Sequence, residues 1–405
     1  MEPVHVLLDK GVVIPCPGSV EIGNDVVPDF IAPGVIIHTG CKILGKDTSI
    51  GPGCEIGFEV PATIENCQLG SEVHLKGGSF SGATFLDRSS MGSGAHVRAG
   101  TLLEEEASGA HGVGFKQTIL FPFVTAGSLI NFCDVLMAGG ISRTDHSEIG
   151  SSYIHFNFTP HGDKATASLI GNVSQGVMLD QSAIFLGGQA GLVGPARIAF
   201  GTLLPAGFIC REDVENPGQM IVPKPGLTPG DSKTLQRGVY RSIDRIVLNN
   251  LHYLGNIKAL KQWYIHIRQD FLSRNSFSQA CYGGALKRLD EAILERVKRL
   301  KELAEKMPES IRRAKTERKD SFPEHIKRQQ YFMDWFYEAE AALLATCPES
   351  VGEVGRDEFF GKWEHVNRSD DYIDSIHALP EPTKEKGRIW LQAVVNEVVN
   401  SYEES

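Results

Sequence analysis

The sequence has no C-x-x-C pair, no apolar run near the ~18 residues of a membrane helix, and no basic excess. Each absence removes a class. Eight scattered cysteines without that pairing suit buried free thiols better than a zinc site or a disulfide frame. Without the apolar run, no membrane association is expected. Met1–Lys10 (MEPVHVLLDK) lacks a basic stretch followed by an apolar one, so no secretory signal and a cytoplasmic location are expected. Net charge is −10, and it divides unevenly: through Asp231, 12 Lys+Arg face 23 Asp+Glu, whereas beyond it 28 face 27. An acidic front half is a poor nucleic-acid surface, because phosphate contacts dominate that affinity. A G-x-x-x-x-G-K-[ST] phosphate cradle and a Ser-His-Asp arrangement are also missing.

Glycine becomes scarce after residue 255, so two differently built parts are expected. In the first, large apolar residues recur every sixth position: Ile31, Ile37 and Ile43, then Ile50 and Ile56, Leu69 and Leu75. Phe85, Met91, Val97 and Leu103 follow, and the cleanest run is Leu186, Leu192, Ile198 and Leu204. Units such as IAPGVI, IGPGCE and MGSGAH carry small residues at their corners. Six is not a multiple of 3.6, so a helix would scatter these residues around its circumference. A short strand and a tight turn, repeated, instead stack one aliphatic side chain per unit into one interior column. One such coil cannot bury its own face, so several must stack. The pattern over residues 20–212 resembles the hexapeptide repeat of left-handed parallel β-helix proteins. That resemblance implies the handedness, triangular coils and a homotrimer.

Two interruptions break the phase, Glu104–Phe115 (EEEASGAHGVGF) and Phe156–Thr166 (FNFTPHGDKAT), and both are expected as ejected loops. Asn216–Asp231 carries four Pro and three Gly and reads as an extended connector. The expected organisation is a β-solenoid domain over 1–215, a linker over 216–231 and an all-α domain over 232–405. In the last part, apolar spacing predicts helices over Leu235–Leu272, Ala285–Met307, Pro323–Ala345 and Thr383–Tyr402. The basic run Arg312–Lys319 (RRAKTERK) reads as a solvated face.

The segment most telling for function is Asp145–Gly171 (DHSEIGSSYIHFNFTPHGDKATASLIG). It resembles the acetyltransferase half of the bifunctional bacterial N-acetylglucosamine-1-phosphate uridyltransferase/glucosamine-1-phosphate acetyltransferases. The N-I-G-A-G-T-I-T-C-N-Y of their N-I-G-A-G-T-I-T-C-N-Y-D-G matches Glu148 to Phe158 in length and frame, with Lys164 on the following loop. The resemblance implies substrate binding by Glu148, Asn157 and Phe158, and in an acyl-transfer scheme Ser151 and Lys164 join Asn157 in holding the substrate. It also implies acetyl-CoA as co-substrate and a sugar phosphate or nucleotide sugar as ligand. A general base is needed, yet counting back fourteen residues to the family's catalytic histidine reaches Asp134, beside Cys133. Asp134, His146 and His155 are therefore the candidate catalytic groups.

His146, His155 and His161 leave three readings open: a displaced acyl-transfer base, a metal site, or imidazoles that only hydrogen-bond at corners. The H-x-x-x-x-H pair of hexapeptide metalloenzymes is missing, so no metal is expected. His111, beside Glu104–Glu106, is a further candidate. No nucleotidyltransferase motif precedes the repeat, so nucleotidyl transfer is not expected. Two functions stay in view, an acyltransferase-like protein and a catalytically degenerate sugar-nucleotide-binding or structural scaffold.

Overall fold

The computed structural model describes residues 3–222, 237–317, 324–365 and 369–403. A short helix, α1 (Pro3–Asp9), caps the start. The chain then winds as a parallel β-helix whose coils present three faces. Face A is a nine-stranded parallel sheet from Ile36–Ile37 to Leu203–Leu204. Face B runs from Glu21–Ile22 to Ile209–Cys210, and face C from Ser49–Ile50 to Arg197–Ile198. Strands Gly114–Leu120 and Asn131–Met137 bend from B into C at Gln117 (φ 50°) and Asp134 (φ 60°), where the left-handed backbone makes the corner.

The six-residue period does what its geometry requires. On face C, Ile50, Leu69, Phe85, Leu103, Leu120 and Met137 fall in register and are fully buried. Ile37, Ile56, Leu75 and Met91 do the same on face A.

The outward positions differ from face to face. Face A presents Glu55, His74, Ser90, Ser108 and Thr125, none of them buried. Face C presents Leu102, Ile119, Leu136 and Leu169, all buried. A strand apolar on both sides must be covered on both sides, and the helical region supplies the cover.

That region comprises α3 (Ile243–Trp263), a π-helical turn (Tyr264–Arg268), α4 (Gln269–Leu272) and α5 (Ser276–Ala304), after the small helix α2 (Val173–Gly176) within the coils. It continues with α6 (Met307–Glu317), α7 (Glu324–Leu344), α8 (Glu353–Trp363), α9 (Tyr372–His377) and α10 (Glu381–Glu403). Helix α5 lies along face C, and α3 packs on the strand Ser168–Ile170. An Asn275 side chain caps α5 through the amides of Phe277 and Ser278, starting it nine residues before the expected Ala285. Pro308, expected as a stop, stands in the first turn of α6, where its missing N–H is harmless. Helices α8 and α9 were not expected. The expected starts Leu235 and Pro323 lie outside the described residues, as do 223–231 of the expected linker and Arg318–Lys319 of the basic run. Arg312 and Arg313 both pair with Glu309, at 2.7 and 2.6 Å.

One loop expectation needs correction. Glu104–Phe115 is not ejected: Ser108–Gly109 pairs in register with Ser90–Met91 and Thr125–Ala126, and Glu104 and Glu105 are buried. These carboxylates meet partners from the helical region. Tyr264 donates to Glu104 Oε1 at 2.6 Å, and Arg268 donates to both oxygens of Glu105 at 2.7 and 2.9 Å. The second excursion does leave the coil, with no strand between Phe156 and Ser168. An antiparallel hairpin, Gly140–Ser142 with Asp145–His146, interrupts the coils as well.

Candidate functional site

The corner between faces B and C gathers Asp134, His155 and Asn157, with the loop of Lys164 beside them. Asp134 sits at the left-handed bend and is 7% exposed. Its Oδ1 accepts from Arg296 Nη2 of α5 at 3.0 Å, and its Oδ2 accepts from Asn157 Nδ2 at 3.3 Å. Arg296 also donates to Asn250 Oδ1 at 3.3 Å and to the Lys164 carbonyl at 3.4 Å. The Lys164 ammonium side chain itself belongs to an exposed residue.

His155 stands in the interior column of face B, paired in register with Leu192, and is 2% exposed. One ring nitrogen lies 2.6 Å from the Cys133 carbonyl, which can only accept, so Nδ1 carries the proton. Nε2 then accepts from Ser168 Oγ at 2.8 Å, while that hydroxyl accepts from the Ala196 amide at 3.0 Å. Burial pushes the imidazole down to about 4. Both nitrogens are engaged and the ring is neutral, so His155 fills a core position with a satisfied polar group.

The loop after Phe156 is clasped by the helical region. Asp163 accepts from Thr159 Oγ1 and, at 3.1 Å, from Tyr240, while His161 Nδ1 accepts from the Gly238 amide at 3.0 Å. Lys306 donates to the Gly162 carbonyl at 2.7 Å. Phe158, at 63% exposure, remains at the loop surface.

The other predicted residues lie elsewhere. His146 is on the hairpin, its Nδ1 3.0 Å from the Arg143 carbonyl. Glu148 faces outward on face A, in register with Thr125 and Phe185. Ser151 is at the open corner between faces A and B, where its Oγ accepts from the Ser128 amide at 3.2 Å. Ser128 Oγ in turn lies 2.9 Å from His111 Nδ1, which makes a ladder of polar groups up that corner. The fold therefore brings Asp134, His155 and Asn157 together and separates them from His146, Glu148 and Ser151. Among the described residues, no group of three His, Cys, Asp or Glu side chains is arranged to hold a metal ion.

Arg296 and Asn250 were missed by sequence reasoning. They lie on α5 and α3, and no local pattern marks an arginine in an amphipathic helix as the partner of a distant corner.

Fold and site together define a parallel β-helix with one face roofed by helices. Over 222 residues the chain is 28% identical to the bifunctional protein GlmU of Thermotoga petrophila, covering 53% of this chain and 43% of that protein. It is 29% identical over 209 residues to GlmU of Pelobacter propionicus, covering 51% and 40%. Over 211 residues it is 29% identical to GlmU of Nitratidesulfovibrio vulgaris, again covering 51% and 40%. The chain thus spans less than half the length of these curated relatives. No family model matches. No helix among the described residues is long and apolar enough to cross a membrane.

Proposed function

We propose that this chain is an acyltransferase-like β-helix that works as a sugar-phosphate or nucleotide-sugar binding scaffold rather than through acyl transfer at the Asp134 corner. The observation that carries this reading is the Arg296–Asp134 pair. A general base must reach a substrate proton within hydrogen-bond distance. Here Asp134 is buried against a guanidinium and an amide, and His155 has no free nitrogen. Exposed Phe158 and Lys164 remain available to stack on and pair with a ligand. The resemblance of Glu148–Phe158 to the acetyltransferase half of the bifunctional uridyltransferase/acetyltransferases supports a ligand of this class. A homotrimer and a cytoplasmic location belong to the same proposal.

Calorimetry with UDP-N-acetylglucosamine tests it: binding is expected, and Phe158→Ala or Lys164→Ala should weaken it. No binding by the parent chain overturns the reading.

One observation favours a catalytic alternative with acetyl-CoA as donor. His146 is the one predicted catalytic group that is not buried, and only its Nδ1 is engaged among the described residues. Release of free thiol from acetyl-CoA in the presence of glucosamine 1-phosphate, lost on His146→Ala, would establish that alternative.

A further inference from the structure

A cleft of about 450 Å³ opens between the N-terminal half of α5 and the early coils. No residue of the Asn157 loop lines it. At its floor is Ser49, first in the outward column of face C, 2% exposed and with no hydrogen-bond partner for its Oγ. The next two members of that column are satisfied, because Thr84 donates to Gln68 Oε1 at 3.0 Å and Gln68 Nε2 donates to the Asp47 carbonyl at 2.6 Å. A buried hydroxyl left without a partner is costly, and a ligand oxygen would relieve that cost.

The helix wall gives an independent sign. Gly283 and Gly284 stand side by side in the interior of α5, where glycine is disfavoured. Packing explains Gly284, whose added Cβ would lie 2.4 Å from Gln68 Oε1 and 2.6 Å from Thr84 Oγ1. It does not explain Gly283, which lines the cleft, is exposed, and would meet nothing within 4 Å. A side chain there would project into the open space of the cleft.

The electrostatics favour an anion. Lys287 Nζ lies 3.2 Å from Asp47, which leaves Lys46, exposed and without an ion-pair partner among the described residues, as the uncompensated charge of the lining. Phe30, 36% exposed, adds an apolar edge. We infer that this cleft binds a small phosphorylated metabolite of sugar size, its phosphate held by Lys46 and Lys287 and a hydroxyl by Ser49.

Isothermal titration of the full chain with glucose 1-phosphate, inorganic phosphate and glucose tests this. Glucose 1-phosphate is expected to bind, and glucose is not. Lys46→Gln should weaken binding by about tenfold or more, the loss of one charge-assisted hydrogen bond. Gly283→Leu should abolish it without lowering the melting temperature. Lys46→Gln and Gly283→Leu should leave the binding of UDP-N-acetylglucosamine to the Phe158–Lys164 loop unchanged, which separates this cleft from that loop. The inference is overturned if neither phosphate-bearing probe binds, if glucose binds equally well, or if Gly283→Leu and Lys46→Gln leave binding intact.

Discussion

Arg296 of α5 and Asp134 at the B–C corner form a buried ion pair at 3.0 Å although 162 positions separate them in the chain. Breaking one side of such a pair leaves a buried charge alone. Arg296→Met should therefore lower the unfolding free energy by about 3–5 kcal/mol, read by chemical denaturation. Adding Asp134→Asn should recover most of that loss, since asparagine is neutral and tolerates the left-handed bend. A double variant as unstable as the single one would show that the charge is not the cause.

The same burial gives His155 a pH signature. Held at about 4, below the ~6.5 of an unfolded histidine, it favours the native state fully above pH ~6.5. That stability is lost as the pH falls through 4. His252, also pushed to about 4 by burial, acts in the same direction. Melting temperatures between pH 4 and 7 should rise less steeply in His155→Gln than in the parent chain.

Glu104 works the opposite way. Burial raises its carboxyl to about 7, with Arg268 opposing the shift. A carboxyl raised in the folded state stabilises fully below its unfolded value of ~4.3 and loses that contribution as pH rises through 7. Glu104→Gln should remove this loss, so its stability relative to the parent should improve between pH 5 and 8. A difference that stays flat over that range would place the shift elsewhere.

Gly284 should tolerate nothing larger. Its Cβ would strike Gln68 and Thr84, so Gly284→Ala should cost on the order of 1–3 kcal/mol despite the better helix propensity of alanine. Denaturant midpoints of the two proteins check it.

Much of the fold could be read from the spacing alone. Every aliphatic residue of the Leu186–Leu192–Ile198–Leu204 run is buried where the period places it. The roof was less legible, but it left a trace in doublets: Leu102–Leu103, Ile119–Leu120, Leu136–Met137 and Leu169–Ile170 place apolar side chains on both sides of one strand. Face A carries doublets too, but there the outward members Ile36, Phe185 and Leu203 are not buried. Glu104 and Glu105 read in sequence as part of an ejected loop because their partners, Tyr264 and Arg268, lie 160 and 163 residues away. Local composition cannot announce a partner at that range. His155 and His146 look alike in sequence, and only the place of each, inside a coil or on the hairpin, distinguishes them. The matched frame around Asn157 locates the loop but does not reveal that α5 lies over its neighbour.

Coils that touch only their neighbours come apart one after another from the ends. Here α5 and the residue pair just beyond it reach Gln68 and Thr84, Gly82, Asp134 and Gly162 in turn, fastening successive storeys to one rod. A pull on the termini should meet a single tall barrier over the roofed storeys, where a bare stack would yield as a staircase of small ones.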